Sequence, residues 1–157
     1  YSYDGADASF ELLARRIIGE IPRYISITEY DVSVKKNHSG TIISSAKAHL
    51  EVDGEKIICE GEGNGPVNAL DNAIRNNVDR LVKYSKYLKD LKLVDYKVRI
   101  LNTGTEAVTR VSIESSDAKG KNWFTIGVST NIIEASFKAL IDSLDYKLFK
   151  DNAPASK

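Results

Sequence analysis

The feature that most constrains this chain is an internal repeat. Tyr30-Asp31-Val32-Ser33-Val34 returns as Tyr96-Lys97-Val98-Arg99-Ile100. At the same offset Asp53-Gly54-Glu55-Lys56-Ile57-Ile58-Cys59-Glu60-Gly61 falls on Lys119-Gly120-Lys121-Asn122-Trp123-Phe124-Thr125-Ile126-Gly127. Ala69 and Ala73 then fall on Ala135 and Ala139, and the stretches between align once a gap of a few residues is allowed. This period is longer than typical solenoid repeats, so the pattern reads as a tandem duplication of one larger unit. Whatever the first half folds into, the second must fold into as well.

The unit is legible from its periodicities. Tyr30, Val32 and Val34 alternate with polar residues, and after Asn37-His38-Ser39-Gly40 the residues Ile42, Ala46, Ala48, Leu50 and Val52 share one face. Strict alternation is the mark of a half-buried strand. Asp53-Gly54 is a hairpin turn signal, and Lys56 to Glu60 makes a third strand. Val67, Leu70, Ile74, Val78, Leu81 and Leu88 then recur at helical spacing, predicting one long helix. The second half repeats the order: Tyr96 to Ile100, Val111 and Ile113, Trp123 to Ile126, and a closing helix from Ile132 through Leu144. The expected fold is α+β, a tandem βββα repeat in which each helix covers one face of a three-stranded sheet, the pair packing about a pseudo-twofold axis. Residues 1–22 form a short leading helix with Phe10, Leu13, Ile17 and Ile18 on one stripe and Asp7 as its cap. The rest, 23–157, is the domain, with units at about 24–92 and 93–150.

Composition narrows the function. Lys+Arg and Asp+Glu both number 22, a balance that argues against a nucleic-acid binder. No apolar run is long enough for a membrane span. The single cysteine, Cys59, excludes an internal disulfide and points to a reducing, cytoplasmic setting. A chain without any methionine that opens Tyr1-Ser2-Tyr3 reads as a fragment of a longer protein. His38 and His49 have no partner at metal-ligand spacing, and the carboxylates are scattered, so no catalytic constellation and no cofactor is expected in this fragment. Cys59 shares strand parity with Ile57 and reads as a small core residue.

The stretch Gly61-Glu62-Gly63-Asn64-Gly65-Pro66-Val67-Asn68 joins a strand to a helix. Gly63 and Gly65 permit unusual backbone angles and close approach of a ligand, Pro66 suits the first helical turn, and the helix start could hold a carboxylate. A tight turn with no ligand explains the same residues. In the second half, Asn131 and Glu134 have capping-box spacing, with Thr130 as an alternative cap.

Three stretches carry a resemblance: Gly63-Asn64-Gly65-Pro66-Val67-Asn68-Ala69, Gly104-Thr105-Glu106-Ala107, and Gly127-Val128-Ser129-Thr130-Asn131-Ile132-Ile133-Glu134-Ala135-Ser136. In this order they resemble the C-terminal allosteric domain of the isopropylmalate synthase family, over about Tyr24 to Leu148. The opening Tyr3 to Leu13 and the run Asp95 to Leu101 look closer to the citramalate synthase branch. The resemblance implies a homodimeric regulatory domain that binds an end-product amino acid, isoleucine in the citramalate branch and leucine in the other. It also implies a parent acyltransferase whose catalytic barrel, with its divalent metal and acetyl-CoA, is absent here. The leading helix would then be the linker from that barrel, and this chain alone would not catalyse. By position in the family's motifs, Gly63, Gly65, Val67, Asn68, Leu93, Tyr96, Ile100, Thr105, Thr109, Thr130 and Ile132 look like the effector pocket. There the helix starts would hold the carboxylate, the Asn68 carbonyl the ammonium, and Leu93, Tyr96 and Ile100 the side chain.

Two other readings compete. A ligand-free dimerisation module would need the same fold. A double-stranded RNA-binding domain shares the element order but needs lysines where its final helix starts, and here Pro66-Val67-Asn68-Ala69-Leu70 brings no cation before Arg75.

Overall fold

A computed structural model describes residues 7–103 and 106–157, without the side chains of 102, 103 and 106. The elements are α1 (Asp7–Ile17), β1 (Ser26–Lys36), β2 (Ile42–Val52), β3 (Glu55–Gly63), α2 (Pro66–Arg75) and α3 (Ser85–Leu88). They continue with β4 (Lys92–Thr103), β5 (Glu106–Ser116), β6 (Asn122–Ser129) and α4 (Ile132–Lys150). The strands form two antiparallel sheets, β1-β2-β3 and β4-β5-β6, each followed by its helix, which is the expected tandem βββα arrangement. No helix among the described residues is long and apolar enough to cross a membrane.

The chain divides into two compact units, one built from residues 23–89 with 154–157, the other from α1 with 90–153. In the first, α2 lies over β2 and β3 and buries Ala46, Ala48, Leu50, Cys59, Leu70 and Ala73. In the second, α4 lies over β5 and β6 and buries Val111, Ile113, Thr125, Ala135, Ala139 and Leu144. The repeat reaches into the irregularities. The register slips between Ile27 and Glu29 in β1 and between Leu93 and Asp95 in β4, at equivalent places.

Matched glycines set how closely each helix approaches. A Cβ on Gly61 would lie 2.3 Å from the Ala73 nitrogen, and one on Gly127 would lie 1.9 Å from the Ala135 carbonyl oxygen. Each helix therefore rests its backbone directly on a strand glycine, with alanine on the helix side of the contact. Asp53 and Gly54 both adopt positive φ, 53° and 79°, as the turn signal predicts.

Two expectations need correction. The long helix read from Val67 to Leu88 is broken: α2 stops at Arg75, a 3₁₀ turn spans Val78–Arg80, and α3 is a single turn. Asn77 makes the break, its side-chain amide donating to the Ala73 carbonyl at 2.7 Å and the Glu60 carbonyl at 3.1 Å. Val78, Leu81 and Leu88 are still buried, because each short piece turns one face to the same core. The second correction concerns α1, whose stripe of Phe10, Leu13 and Ile17 faces outward, as does Ile18 just beyond it. The buried side is Ala8, Ser9 and Leu12, small residues that let the helix lie close to α4 and β6.

Candidate functional site

In both units the helix lies chiefly over the second and third strands, with α2 also touching β1, and the first strand carries an apolar row of its own. On β4 that row is Tyr96, Val98 and Ile100, exposed to 40%, 42% and 67%. Its neighbours across the sheet face are fixed by register. Ile100 pairs with Thr109, which pairs with Ser129 at the end of β6, and the chain then enters α4 through Thr130, Asn131 and Ile132. The structure thus gathers Ile100, Thr109, Thr130 and Ile132 at one end of the sheet. Tyr96 lies part-way along, beside Ile113 and Thr125. Leu93 is at the other end, opposite Ser115, roughly 20 Å along the strand from Ile100 at about 3.3 Å per residue. Thr105 and the opening Tyr3-Asp4-Gly5-Ala6 lie outside the described residues.

The other unit holds Gly63, Gly65, Val67 and Asn68. Neither glycine has a positive φ, so backbone freedom is not their role. Gly63 is needed for space: a Cβ there would lie 2.2 Å from Asn68 Oδ1 and 2.7 Å from the Ala69 nitrogen. Gly65, in extended conformation at φ −166°, has nothing within 4 Å of a would-be Cβ. Its small size leaves open space in front of the helix. Val67 is closed off in the core. Asn68 Oδ1 accepts the Asn64 N–H at 3.3 Å, so the oxygen expected to meet an ammonium already ties down the loop.

The two helix starts differ chemically. At α4 the Asn131 side chain accepts the N–H groups of Ile133 at 2.8 Å and Glu134 at 3.2 Å, so Asn131 and not Thr130 is the cap. At α2 no side chain caps the helix, and Pro66 brings no N–H to the first position. The orphan donors of α2 therefore meet no capping side chain at its positive dipole end, while two of those of α4 are taken by Asn131.

Cys59 is fully buried and burial pushes its thiol up, the opposite of what a nucleophile requires. No cluster of three His, Cys, Asp or Glu suited to a metal occurs among the described residues. The perturbed carboxylates belong to structural ion pairs. Lys147, buried on α4, reaches Asp151, Asp90 at 3.5 Å and Asp117 at 3.8 Å. Burial lowers its pKa, but the three carboxylates outweigh this and hold it above the ordinary lysine value. Sequence reading missed this cluster, since its members lie far apart in the chain.

A family model described as the LeuA allosteric (dimerisation) domain matches residues 4–148. The chain belongs to this family. It is 45% identical to the (R)-citramalate synthase of Geobacter sulfurreducens over 153 residues, 96% of this chain and 28% of that protein. The (R)-citramalate synthase of Aquifex aeolicus is 44% identical, again with 96% and 28% covered. The 2-isopropylmalate synthase of Carboxydothermus hydrogenoformans is 28% identical over 151 residues, 96% of this chain and 27% of that protein. The LeuA-type domain described here therefore stands nearer the citramalate branch, as Tyr3 to Leu13 and Asp95 to Leu101 suggested. It spans little more than a quarter of the relatives' length.

Proposed function

We propose that this LeuA-type domain is the effector-sensing part of a citramalate synthase and takes isoleucine as its feedback ligand. The observation that carries this reading is the 45% identity to a citramalate synthase across nearly the whole chain. An amino-acid ligand needs an anion site and an apolar wall. Each unit taken by itself offers one of these: the uncapped start of α2 supports an anion-holding role in the first, and the uncovered row Tyr96, Val98 and Ile100 supports an apolar wall in the second. The condensation of acetyl-CoA with pyruvate, its divalent metal and a cytoplasmic location belong to the whole enzyme in this reading. The uncovered row on β4 favours a homodimer, because one copy leaves it open to water and closed twofold pairing is the commonest way to bury such a face.

Isothermal titration with isoleucine, leucine and valine tests the proposal. Isoleucine should bind more tightly than leucine by roughly 10–200-fold, the range set by the placement of one methyl group against a shaped wall. Valine should lose about 0.8 kcal/mol for its missing methylene. Tighter binding of leucine would transfer the domain to a 2-isopropylmalate synthase. No heat with any of the three would leave a dimerisation module. Light scattering gives the assembly independently, as a mass above the 17.4 kDa of one chain.

A further inference from the structure

Where α1 meets α4, two carboxylates of α4 share the one guanidinium of Arg16. Arg16 on α1 donates to Asp142 Oδ1 at 2.9 Å and to Asp145 Oδ2 at 2.9 Å. The two aspartates stand one helical turn apart on α4, both largely buried, with side chains 19% and 14% exposed. Asp142 has further help, since the Ser9 hydroxyl lies 3.4 Å from its Oδ2. Asp145 has none: its Oδ1 is buried and meets no donor. A buried carboxylate oxygen without a donor is costly when charged and much less so when the group is neutral.

We propose that Arg16, Asp142 and Asp145 form a proton-operated clasp that holds α1 on α4 and loosens as the solution becomes more alkaline. With Asp145 neutral, Arg16 pairs with Asp142 alone and the charges balance. With both carboxylates charged, one negative charge remains buried beside the other. Burial raises the Asp145 pKa from its ordinary value to about 7, with Arg16 opposing the shift and Asp142 adding to it. Burial also raises Asp142, which keeps the Arg16 and Ser9 contacts.

Among the described residues, the neighbouring cations are engaged with other partners. On α1, Glu11 and Arg15 pair with each other at 3.1 Å, and Lys150 of α4 pairs with Glu11 at 2.7 Å. The strand β6 carries no charged residue. On β5, Arg110 and Glu114 alternate with Val111 and Ile113, the residues buried under α4, and so lie on the other face of the sheet.

Docking α1 also covers a sheet edge. The Ile126 N–H donates to Ser9 Oγ at 2.8 Å, although in the sheet β6 pairs only with β5. Release of the clasp would uncover that N–H together with Ala8, Ser9 and Leu12, presenting an open strand edge of the kind that pairs with another chain.

The sign follows from linkage. An undocked α1 leaves Asp145 exposed with an ordinary carboxylate pKa near 3.8, whereas the docked value is about 7. Docking therefore takes up a proton between those values. The docking equilibrium weakens by up to about tenfold per unit as pH rises through that window, and levels above it. The test is carbon-detected NMR titration of the side-chain carboxyls in the full 157-residue chain, with hydrogen exchange of the α1 amides from pH 5 to 8.5. We expect Asp145 to titrate near neutrality and α1 protection to fall from pH 5 to 7, then to level above. Asp145→Asn should greatly weaken this dependence, leaving only the smaller part that Asp142 carries, and keep α1 protected at pH 8. Asp142→Asn should lower the Asp145 midpoint by removing its like-charged neighbour. An Asp145 midpoint near 4, or a wild-type pH profile in Asp145→Asn, overturns the clasp. Should Asp145→Asn fail to fold, an unchanged Asp145 midpoint in Asp142→Asn overturns it equally.

Discussion

Replacing Gly127 by alanine adds one methyl group, and the structure gives that methyl nowhere to go. Its Cβ would lie 1.9 Å from the Ala135 oxygen and 2.9 Å from the Ala139 nitrogen, both backbone atoms of α4 that cannot swing aside. Restoring ordinary contact requires the helix to retreat by about 1.5 Å along its length, the gap to van der Waals distance. The retreat stretches the Thr125 hydroxyl bond to the Ala139 carbonyl, now 2.8 Å, and the Ser115–Ser143 hydroxyl pair, now 2.6 Å. Overpacking of this kind costs about 1–3 kcal/mol, and the two buried hydrogen bonds add about 1 kcal/mol each. The expected loss is roughly 3–5 kcal/mol in the unit that carries α4. At about 2–4 °C per kcal/mol for a chain of this size, its melting transition should fall by roughly 10 °C. Gly65→Ala is the matched control. It too adds a methyl beside a helix, but into open space at an extended φ, so it should cost at most about 1 kcal/mol, for the poorer N-cap. Calorimetric scans of both variants decide the matter. If the two melt within a degree or two of each other, the claim that strand glycines set the approach of the helices is wrong.

Lys147→Met should cost about 3–5 kcal/mol, because it leaves Asp90, Asp117 and Asp151 facing one another without their cation. Urea titration of the variant at pH 7 measures this. Asp90 responds first to its burial, which raises its pKa, but its hydrogen bonds and Lys147 bring it below the ordinary value. Lys147 lies above its own. The wild-type contribution should therefore be present from about pH 4 to about pH 10, lost as pH falls through the Asp90 pKa or rises through that of Lys147. Urea midpoints at pH 3, 7 and 11 test the signs, and a wild-type midpoint that does not move relative to Lys147→Met refutes them. Tyr84→Phe removes a fully buried phenol that donates to the Pro154 carbonyl at 2.9 Å. It should cost about 0.5–1.5 kcal/mol and raise hydrogen exchange at Ser156, whose N–H bonds the Arg23 carbonyl at 2.8 Å. Unchanged exchange there would show that the terminal residues are held by other contacts.

What could be read from the chain alone was whatever depends on neighbours in sequence. Alternation in Ile42 to Val52 set the buried face of β2 and Asp53-Gly54 set its hairpin, because each is a property of a few consecutive dihedrals, whereas the choice of Asn131 over Thr130 as the α4 cap was left to the fold. The repeat itself was legible, down to Gly61 against Gly127, although the reason for those glycines was not. That reason is a distance between a strand and a helix, and no local pattern contains it. The same limit explains the misreadings. Helical spacing from Val67 to Leu88 looks identical whether one helix or three short pieces turn toward the core, and the choice rests on Asn77 reaching the carbonyl of Glu60 on another element. The apolar stripe of α1 announced an amphipathic helix, yet the buried side is Ala8, Ser9 and Leu12. Burial there was decided by how closely α4 and β6 approach, not by hydrophobicity along the helix. Lys147 with its three aspartates, and Arg16 with Asp142 and Asp145, were invisible for the same reason. Charges interact through space, and only folding brings Asp90 beside Lys147 or Arg16 beside Asp145.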